Sequence, residues 1–224
     1  MCTKRLCLVF LVTILAGAVP ADRIRGYVDT RVTRAVRGSL HHSARPEADR
    51  GPVDPAMRLE HVVLSFRPSA VQQAELDQLL ADQQNPGSPH FHQWLSPEEF
   101  AARFGLSAAD ESKVRAWLEG EGLEVEQQAR GRNWMAFSGT ARNIGRFLGT
   151  EIRKFAAGGI EHFANATEPS VPAALEEIVG GFIGLDDFVP ESMAHVVPRP
   201  DFTTGSSHYL APDDLATIYN VAHL

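Results

Sequence analysis

Cys2 and Cys7 are the only cysteines of this chain, and both fall within its first ten residues. Lys4 and Arg5 precede an apolar run from Leu6 to Leu15 that only Thr13 interrupts, and Ala16-Gly17-Ala18 follows. A positive flank, a short apolar core and a small-residue stop are the marks of a secretory signal peptide over residues 1–18. The run is too short to span a bilayer comfortably, and no Cys follows the small residues to carry a lipid anchor. Export is therefore expected, with no stable membrane association once the leader is removed. The mature chain would then hold no thiol, disulfide or cysteine-ligated metal, so its order must come from burying an apolar core.

Composition permits that: 44% of residues are hydrophobic and 22% charged, normal for a globular protein. The net charge of −7 gives no sign of nucleic-acid binding, which favours basic surfaces. Charge is uneven. Residues 22–50 hold seven Arg against four acids, whereas from Asn165 onward there are nine acids and only Arg199. Such runs report solvation more readily than recognition. Residues 19–56, rich in Arg, Gly, Pro and His without periodicity, are expected to form a flexible lead.

From Met57 the pattern becomes regular. Met57–Phe66 predicts a strand, with Val62-Val63-Leu64 suited to burial on both faces. Ser69 and Gln72 make a capping box for a helix whose Leu76, Leu79 and Leu80 share one face, stopped at Asn85-Pro86-Gly87. Ser96, Pro97 and Glu99 form a second helix start, with Leu95 and Phe100 at the staple positions and Gly105 as the stop. Ser107 and Asp110 open a third helix lined by Val114, Trp117 and Leu118, which Gly120 and Gly122 end. Residues 123–128 and 133–138 read as a hairpin across Arg130-Gly131. Thr140 starts a helix carrying Ile144, Phe147 and Leu148, closed by Gly149. Residues 150–155 and 160–163 flank Gly158-Gly159 as a second hairpin. Pro172 is expected to open a short helix through Val179, before a strand over 182–185. Periodicity then gives way to Pro and Ser, predicting a linker over 189–208.

The order strand, helices, strand, strand, helix, strand predicts an α+β fold: a ferredoxin-like split βαβ sandwich, its antiparallel sheet backed by helices, with inserted helices and disordered flanks. Such a fold does not by itself select a function.

Between Met57 and Leu185 the chain resembles the pro-kumamolisin activation domain of the sedolisin family, the serine-carboxyl peptidases. The resemblance rests on Ser88-Pro89-His90-Phe91-His92-Gln93-Trp94-Leu95-Ser96-Pro97-Glu98-Glu99-Phe100, then Phe104-Gly105, Trp117-Leu118 to Gly122, Ser138-Gly139-Thr140, and Val171-Pro172 leading to Gly184-Leu185-Asp186. Beyond the linker, Tyr209-Leu210-Ala211-Pro212-Asp213-Asp214-Leu215-Ala216-Thr217-Ile218-Tyr219-Asn220 resembles the opening of the family's catalytic domain.

The resemblance implies residues 57–188 as activation domain and 209–224 as the start of a truncated peptidase domain. It also implies an exported, acid-acting endopeptidase made as an inactive precursor. Family catalytic domains use a Ser nucleophile with Glu and Asp, an oxyanion Asp and a calcium site. Neither the Ser-Gly-Thr-Ser motif nor a Glu followed four residues later by Asp occurs here. No catalytic residue, metal ligand or cofactor site is therefore expected in this chain, and calcium is expected only in the catalytic domain. The implied partner is a cognate sedolisin-type catalytic domain, blocked until the linker is cut; Pro198, Arg199, Ser206, Ser207 and His208 mark that processing region. A rival reading is a free-standing secreted protease inhibitor or binding protein acting in trans.

His90 and His92 lack neighbouring cysteines or acids to complete a zinc site. With His61 and His162 they are candidates for charging as pH falls, against a plainer reading as ordinary surface or core histidines. Asn165-Ala166-Thr167 is a glycosylation sequon by pattern. Trp94, Trp117 and Trp134 are candidate interface anchors, although Trp117 sits on a periodic apolar face that suits a core.

Overall fold

The computed structural model describes residues 20–26, 28–189, 202–204 and 207–219, so the expected signal peptide lies outside the described residues. The chain divides into two units, Met1–Phe188 and Val189–Leu224. The first unit runs β1 (Thr33–Ala35), β2 (Asp49–Pro52), β3 (Arg58–Phe66), α1 (Ala70–Gln84), α2 (Pro97–Phe104), α3 (Ala108–Gly120), β4 (Glu124–Gln128), β5 (Trp134–Thr140), α4 (Ala141–Leu148), β6 (Ile152–Ala157), β7 (Ile160–Asn165), β8 (Ser170–Pro172) and β9 (Val179–Ile183).

Local chemistry sets the helix ends. The Gln72 amide donates to Ser69 Oγ at 3.2 Å while Ser69 N donates to Gln72 Oε1 at 2.9 Å. Ser96 and Glu99 repeat the exchange at the start of α2, at 3.2 and 2.7 Å. Ser107 caps α3 by accepting from Asp110 N, and Thr140 caps α4 by accepting from Asn143 N. Each such cap is worth about 1 kcal/mol. Gly149, at φ 63°, ends α4 in the left-handed conformation that a side chain resists.

Four strands pair in the order β4-β5-β3-β9, every neighbour antiparallel. In sequence order these are the second, third, first and fourth strands of a split βαβ unit, which is the ferredoxin-like topology. A three-stranded sheet, β2-β6-β7, and a two-stranded ribbon, β1-β8, complete the unit.

Strand β3 alternates with one interruption. Leu59 is buried, then Val62, Leu64 and Phe66, so the inward parity changes between residues 59 and 62. The register with β5 shifts there, and His61 takes φ 56°. One extra residue in a strand does this. Val63 is half-buried rather than enclosed, so the expected two-sided burial does not hold.

The core joins Leu59, Val62, Leu64 and Phe66 of β3 to Met135 and Phe137 of β5 and Phe182 of β9. Val114, Trp117 and Leu118 of α3 and Ile144 and Leu148 of α4 cover them. Trp117 meets Phe147 at 4.4 Å between ring centroids. Each fully buried aliphatic or aromatic side chain contributes roughly 1.5–3 kcal/mol. The helix backing the sheet after the first strand is thus α3, and α1 and α2 form the excursion; neither supplies a residue to this cluster. Leu80, expected on the apolar face of α1, is 51% exposed.

Two further expectations change. Residues 20–56 are not a loose lead: Ile24, Val36 and Val53 are buried in the main core, β1 pairs with β8, and β2 with β6. Their apolar residues are too sparse for a period and act as separate anchors tied by backbone hydrogen bonds. The segment after Pro172 is a single 3-10 turn, Ala173–Leu175, because Pro172 closes β8 and β9 begins at Val179.

In the second unit, β10 (Phe202–Thr204) and β11 (Ser207–Tyr209) pair antiparallel, and α5 (Pro212–Ile218) follows. Part of the segment expected as linker is therefore a short hairpin.

Candidate docking face and domain exit

Strand alternation decides what the four-stranded sheet presents outward. Register places Ile183, Val63 and Ala136 side by side on β9, β3 and β5, with Ser65 beside Trp134 in the next row. These have the opposite parity to Leu64, Met135, Phe137 and Phe182, which face the core. Ile183 is 66% exposed, and Val63, Ser65 and Trp134 are half-exposed.

One end of this face is polar. Arg58 Nη2 donates to Glu124 Oε2 at 2.5 Å and to Ser138 Oγ at 3.1 Å. Ser138 Oγ donates in turn to Glu126, whose Oε2 lies 3.4 Å from His61 Nδ1. The bond to Glu124 holds the Arg58 guanidinium above its ordinary pKa. The bulge at His61 places its imidazole over this end; the side chain is 74% exposed. Ser138, His61 and Glu126 are not a hydrolytic triad, because the carboxylate, not the imidazole, stands between the other two.

The other histidines named from sequence are scattered. His90 and His92 lie in the exposed loop after α1, where His92 stacks on Phe91 at 3.8 Å and lies 6.1 Å from Trp94. That loop is tied to α1 by His92 N donating to Gln83 O at 3.1 Å. His162, on β7, places Nδ1 3.3 Å from Asp187 Oδ1 with its side chain 15% exposed. Among the described residues, no three His, Cys, Asp or Glu side chains group in a way that could hold a metal ion. Of the processing residues, Pro198, Arg199 and Ser206 lie outside the described residues, and Ser207 and His208 are in β11.

Three tryptophans take three environments: Trp117 is core, Trp134 is half-exposed and Trp94 is 65% exposed. Asn165 of the sequon is fully buried, its Nδ2 donating to Ser39 O and Thr167 O, both at 2.9 Å.

The domain ends in a contact the sequence did not reveal. Phe188 stacks on His41 at 4.2 Å and lies 4.7 Å from the His162 ring. Asp187 N donates to Phe163 O at 3.2 Å, and Phe163 N donates to Asp187 Oδ1 at 2.8 Å. His41 lies in an aperiodic stretch 121 residues before His162, so no local pattern marks it.

Residues 47–188 match the family described as "Pro-kumamolisin, activation domain". The chain belongs to the pro-kumamolisin activation domain family. The family match ends at Phe188, where the first unit also ends. The chain is similar to Xanthomonalisin of Xanthomonas sp. (strain T-22), at 31% identity over 83% of this chain and 24% of that protein. It is similar to Sedolisin of Pseudomonas sp. (strain 101), at 25% identity over 99% of this chain and 38% of that protein. Kumamolisin of Bacillus sp. (strain MN-32) matches at 23% identity over 81% of this chain and 31% of that protein. The chain thus spans between about a quarter and two-fifths of the length of these curated relatives. Among the described residues, no helix of this pro-kumamolisin activation domain chain is long and apolar enough to cross a membrane.

Proposed function

We propose that this chain is the activation part of a secreted, acid-acting serine-carboxyl endopeptidase precursor. In this reading the first unit grips a sedolisin-type catalytic domain through the outward face of its four-stranded sheet, aids its folding, and holds it inactive. A domain that binds only the native enzyme stabilises it by mass action. Residues 189–208 connect the two, and cutting them at low pH releases the peptidase.

The observation that carries the proposal is the family match over residues 47–188, on a domain whose main sheet leaves Ile183 exposed and Val63 and Trp134 half-exposed. Apolar and aromatic residues flanked by a polar rim are what a protein interface needs; here Arg58, Glu124 and His61 supply the rim. The alternative, an inhibitor acting in trans, uses the same face. The resemblance of residues 209–220 to a catalytic-domain opening favours the precursor.

The test is to add the purified chain to a mature sedolisin-type peptidase and follow peptide hydrolysis. Inhibition saturating at one chain per enzyme supports the proposal. Unchanged hydrolysis over a wide excess of chain rejects it.

A further inference from the structure

We infer that Arg34, Arg37 and Arg67 form an anion-binding cleft at one end of the outward sheet face, shaped for a glutamate side chain on the surface of the partner peptidase domain. The identity of the partner rests on the proposed function; the cleft and its preference for a carboxylate are properties of the first unit.

The cleft is built where the Arg-rich lead meets the end of the main sheet, and it encloses about 430 Å³. Three buried valines make its floor: Val36 just after β1, Val171 of β8 and Val179 of β9. Arg34, Arg37 and Arg67 stand around them, all exposed. Glu176 is the one acid lining it among the described residues, and its Oε2 lies 3.7 Å from Arg34 Nε. Three cations against one anion make the cleft positive on a chain whose formal net charge is −7.

The guanidiniums are anchored but not used up. Arg34 pairs in register with Val171 across the β1-β8 ribbon, and Val36 N donates to Pro169 O at 2.7 Å. The Glu168 carboxylate accepts from Gly38 N and Ser39 N at 2.9 and 3.1 Å, which fixes the turn that follows Arg37. Arg67 N donates to Ile178 O at 2.7 Å, and its Nη2 to Val179 O at 3.0 Å. The Arg37 guanidinium has no hydrogen bond or ion pair among the described residues. The Arg34–Glu176 pair is long and solvated, and such pairs hold their partners weakly. Part of the arginine excess over residues 22–50 is thus delivered to one spot.

Chemistry selects the occupant. A guanidinium presents parallel N–H donors that match the two oxygens of a carboxylate. A floor of valine side chains lowers the local dielectric and strengthens that attraction. The floor also needs an apolar cover. The methylenes of a glutamate supply one while its carboxylate reaches the rim; aspartate is shorter, and phosphate offers the valines nothing.

Position ties the cleft to the docking face. On β3, buried Leu64 and Phe66 alternate with Val63 and Ser65, and Arg67 continues the outward parity directly after the strand. At ~3.3 Å per residue, Arg67 lies about 13 Å from Val63 along the strand, away from Arg58 and His61. A partner surface that covers Ile183 and Val63 therefore presents its glutamate roughly that far away.

A probe added to the chain alone reads the cleft without the peptidase. The capped peptide acetyl-Ala-Glu-Ala-amide is titrated into isotope-labelled chain near neutral pH and low salt, and followed by NMR. Saturable shifts are expected at the Arg37 and Arg67 Nε–H signals together with the Val36 and Val179 methyls. The matching Gln peptide should give shifts at least about ten-fold smaller, and inorganic phosphate should compete at the arginines without moving the methyls. Arg37→Glu is expected to abolish the peptide shifts and to weaken inhibition of a sedolisin-type peptidase at least about ten-fold; the exposure of Arg37 spares the fold. Arg142→Glu, on the helix α4 that covers the core side of the sheet, should leave inhibition unchanged. Equal shifts from the Glu and Gln peptides, phosphate binding tighter than the Glu peptide, or full inhibition by Arg37→Glu would each overturn the cleft. If the native chain itself fails to inhibit, the proposed function fails, and the peptide titration still judges the cleft.

Discussion

The fully buried carboxylate of Asp110 accepts the backbone N–H of Ile24 at 3.1 Å, joining α3 to a residue 86 positions earlier. Its second oxygen accepts from Arg23 N at 2.5 Å, and Lys113 Nζ lies 3.6 Å away. Ile24 is 1% exposed. The aperiodic lead is thereby made part of the core, and the tie gives the first prediction.

Asp110→Ala leaves two amides near the core without an acceptor, and buried unpaired donors cost about 1–3 kcal/mol. The expected loss is roughly 2–3 kcal/mol in urea unfolding, with Asp110→Asn milder because it keeps one acceptor oxygen. A loss below about 0.5 kcal/mol for Asp110→Ala would mean the lead contributes little to stability.

Ile183 is expected to matter for binding and not for folding. Substituting an exposed residue changes stability by about 0.5 kcal/mol or less, whereas a charge placed in the centre of an interface is costly. Ile183→Asp should leave the urea midpoint nearly unchanged and weaken inhibition of a sedolisin-type peptidase at least about ten-fold. Equal inhibition by the two proteins would place the docking face elsewhere.

The sequon at Asn165 is expected to stay unmodified in folded protein, because Nδ2 is the atom a glycan would occupy and it is buried in two hydrogen bonds. Intact-mass measurement of soluble chain from a glycosylating host should give the unmodified mass. Any glycosylated fraction should appear in the aggregated material.

Acid stability follows from paired carboxylates. The hydrogen bond from Arg153 holds Asp49 below the usual carboxylate range, and that from Arg130 does the same to Glu98. A depressed folded-state pKa gives stability that is fully present above the unfolded value near ~4 and is lost as pH falls through the folded value. Glu111 acts in reverse, since burial raises its pKa and acidification relieves a cost. The urea midpoint should stay near level from pH 7 to about pH 5 and decline below about pH 4. Asp49→Asn should shallow the decline.

What was legible in the sequence was local. The Ser96-Pro97-Glu98-Glu99 start encodes its own hydrogen bonds, and both hairpins announce themselves by alternation around Gly131 and Gly158-Gly159. Choosing which helix backs the sheet was not local: Leu76, Leu79 and Leu80 have the spacing of an apolar face, as do Val114, Trp117 and Leu118, and only packing distinguishes α1 from α3. The bulge at His61 hides because one inserted residue changes parity without changing composition. Ile24 and His41 carry no periodicity at all; their partners, Asp110 and Phe188, are fixed by the tertiary fold. Nor was the outward face of the sheet legible: Ile183 became visible only once the register set it beside Val63.

The central claim is that the folded first unit binds a sedolisin-type catalytic domain. Titration calorimetry of the purified chain against such a domain, inactivated at its nucleophile and held near neutral pH, measures this most directly. The account predicts a one-to-one complex with a Kd in the micromolar range or tighter, as a specific interface requires, weakened by Ile183→Asp. A folded chain that gives no binding heat and fails to co-migrate with the catalytic domain on gel filtration would contradict it.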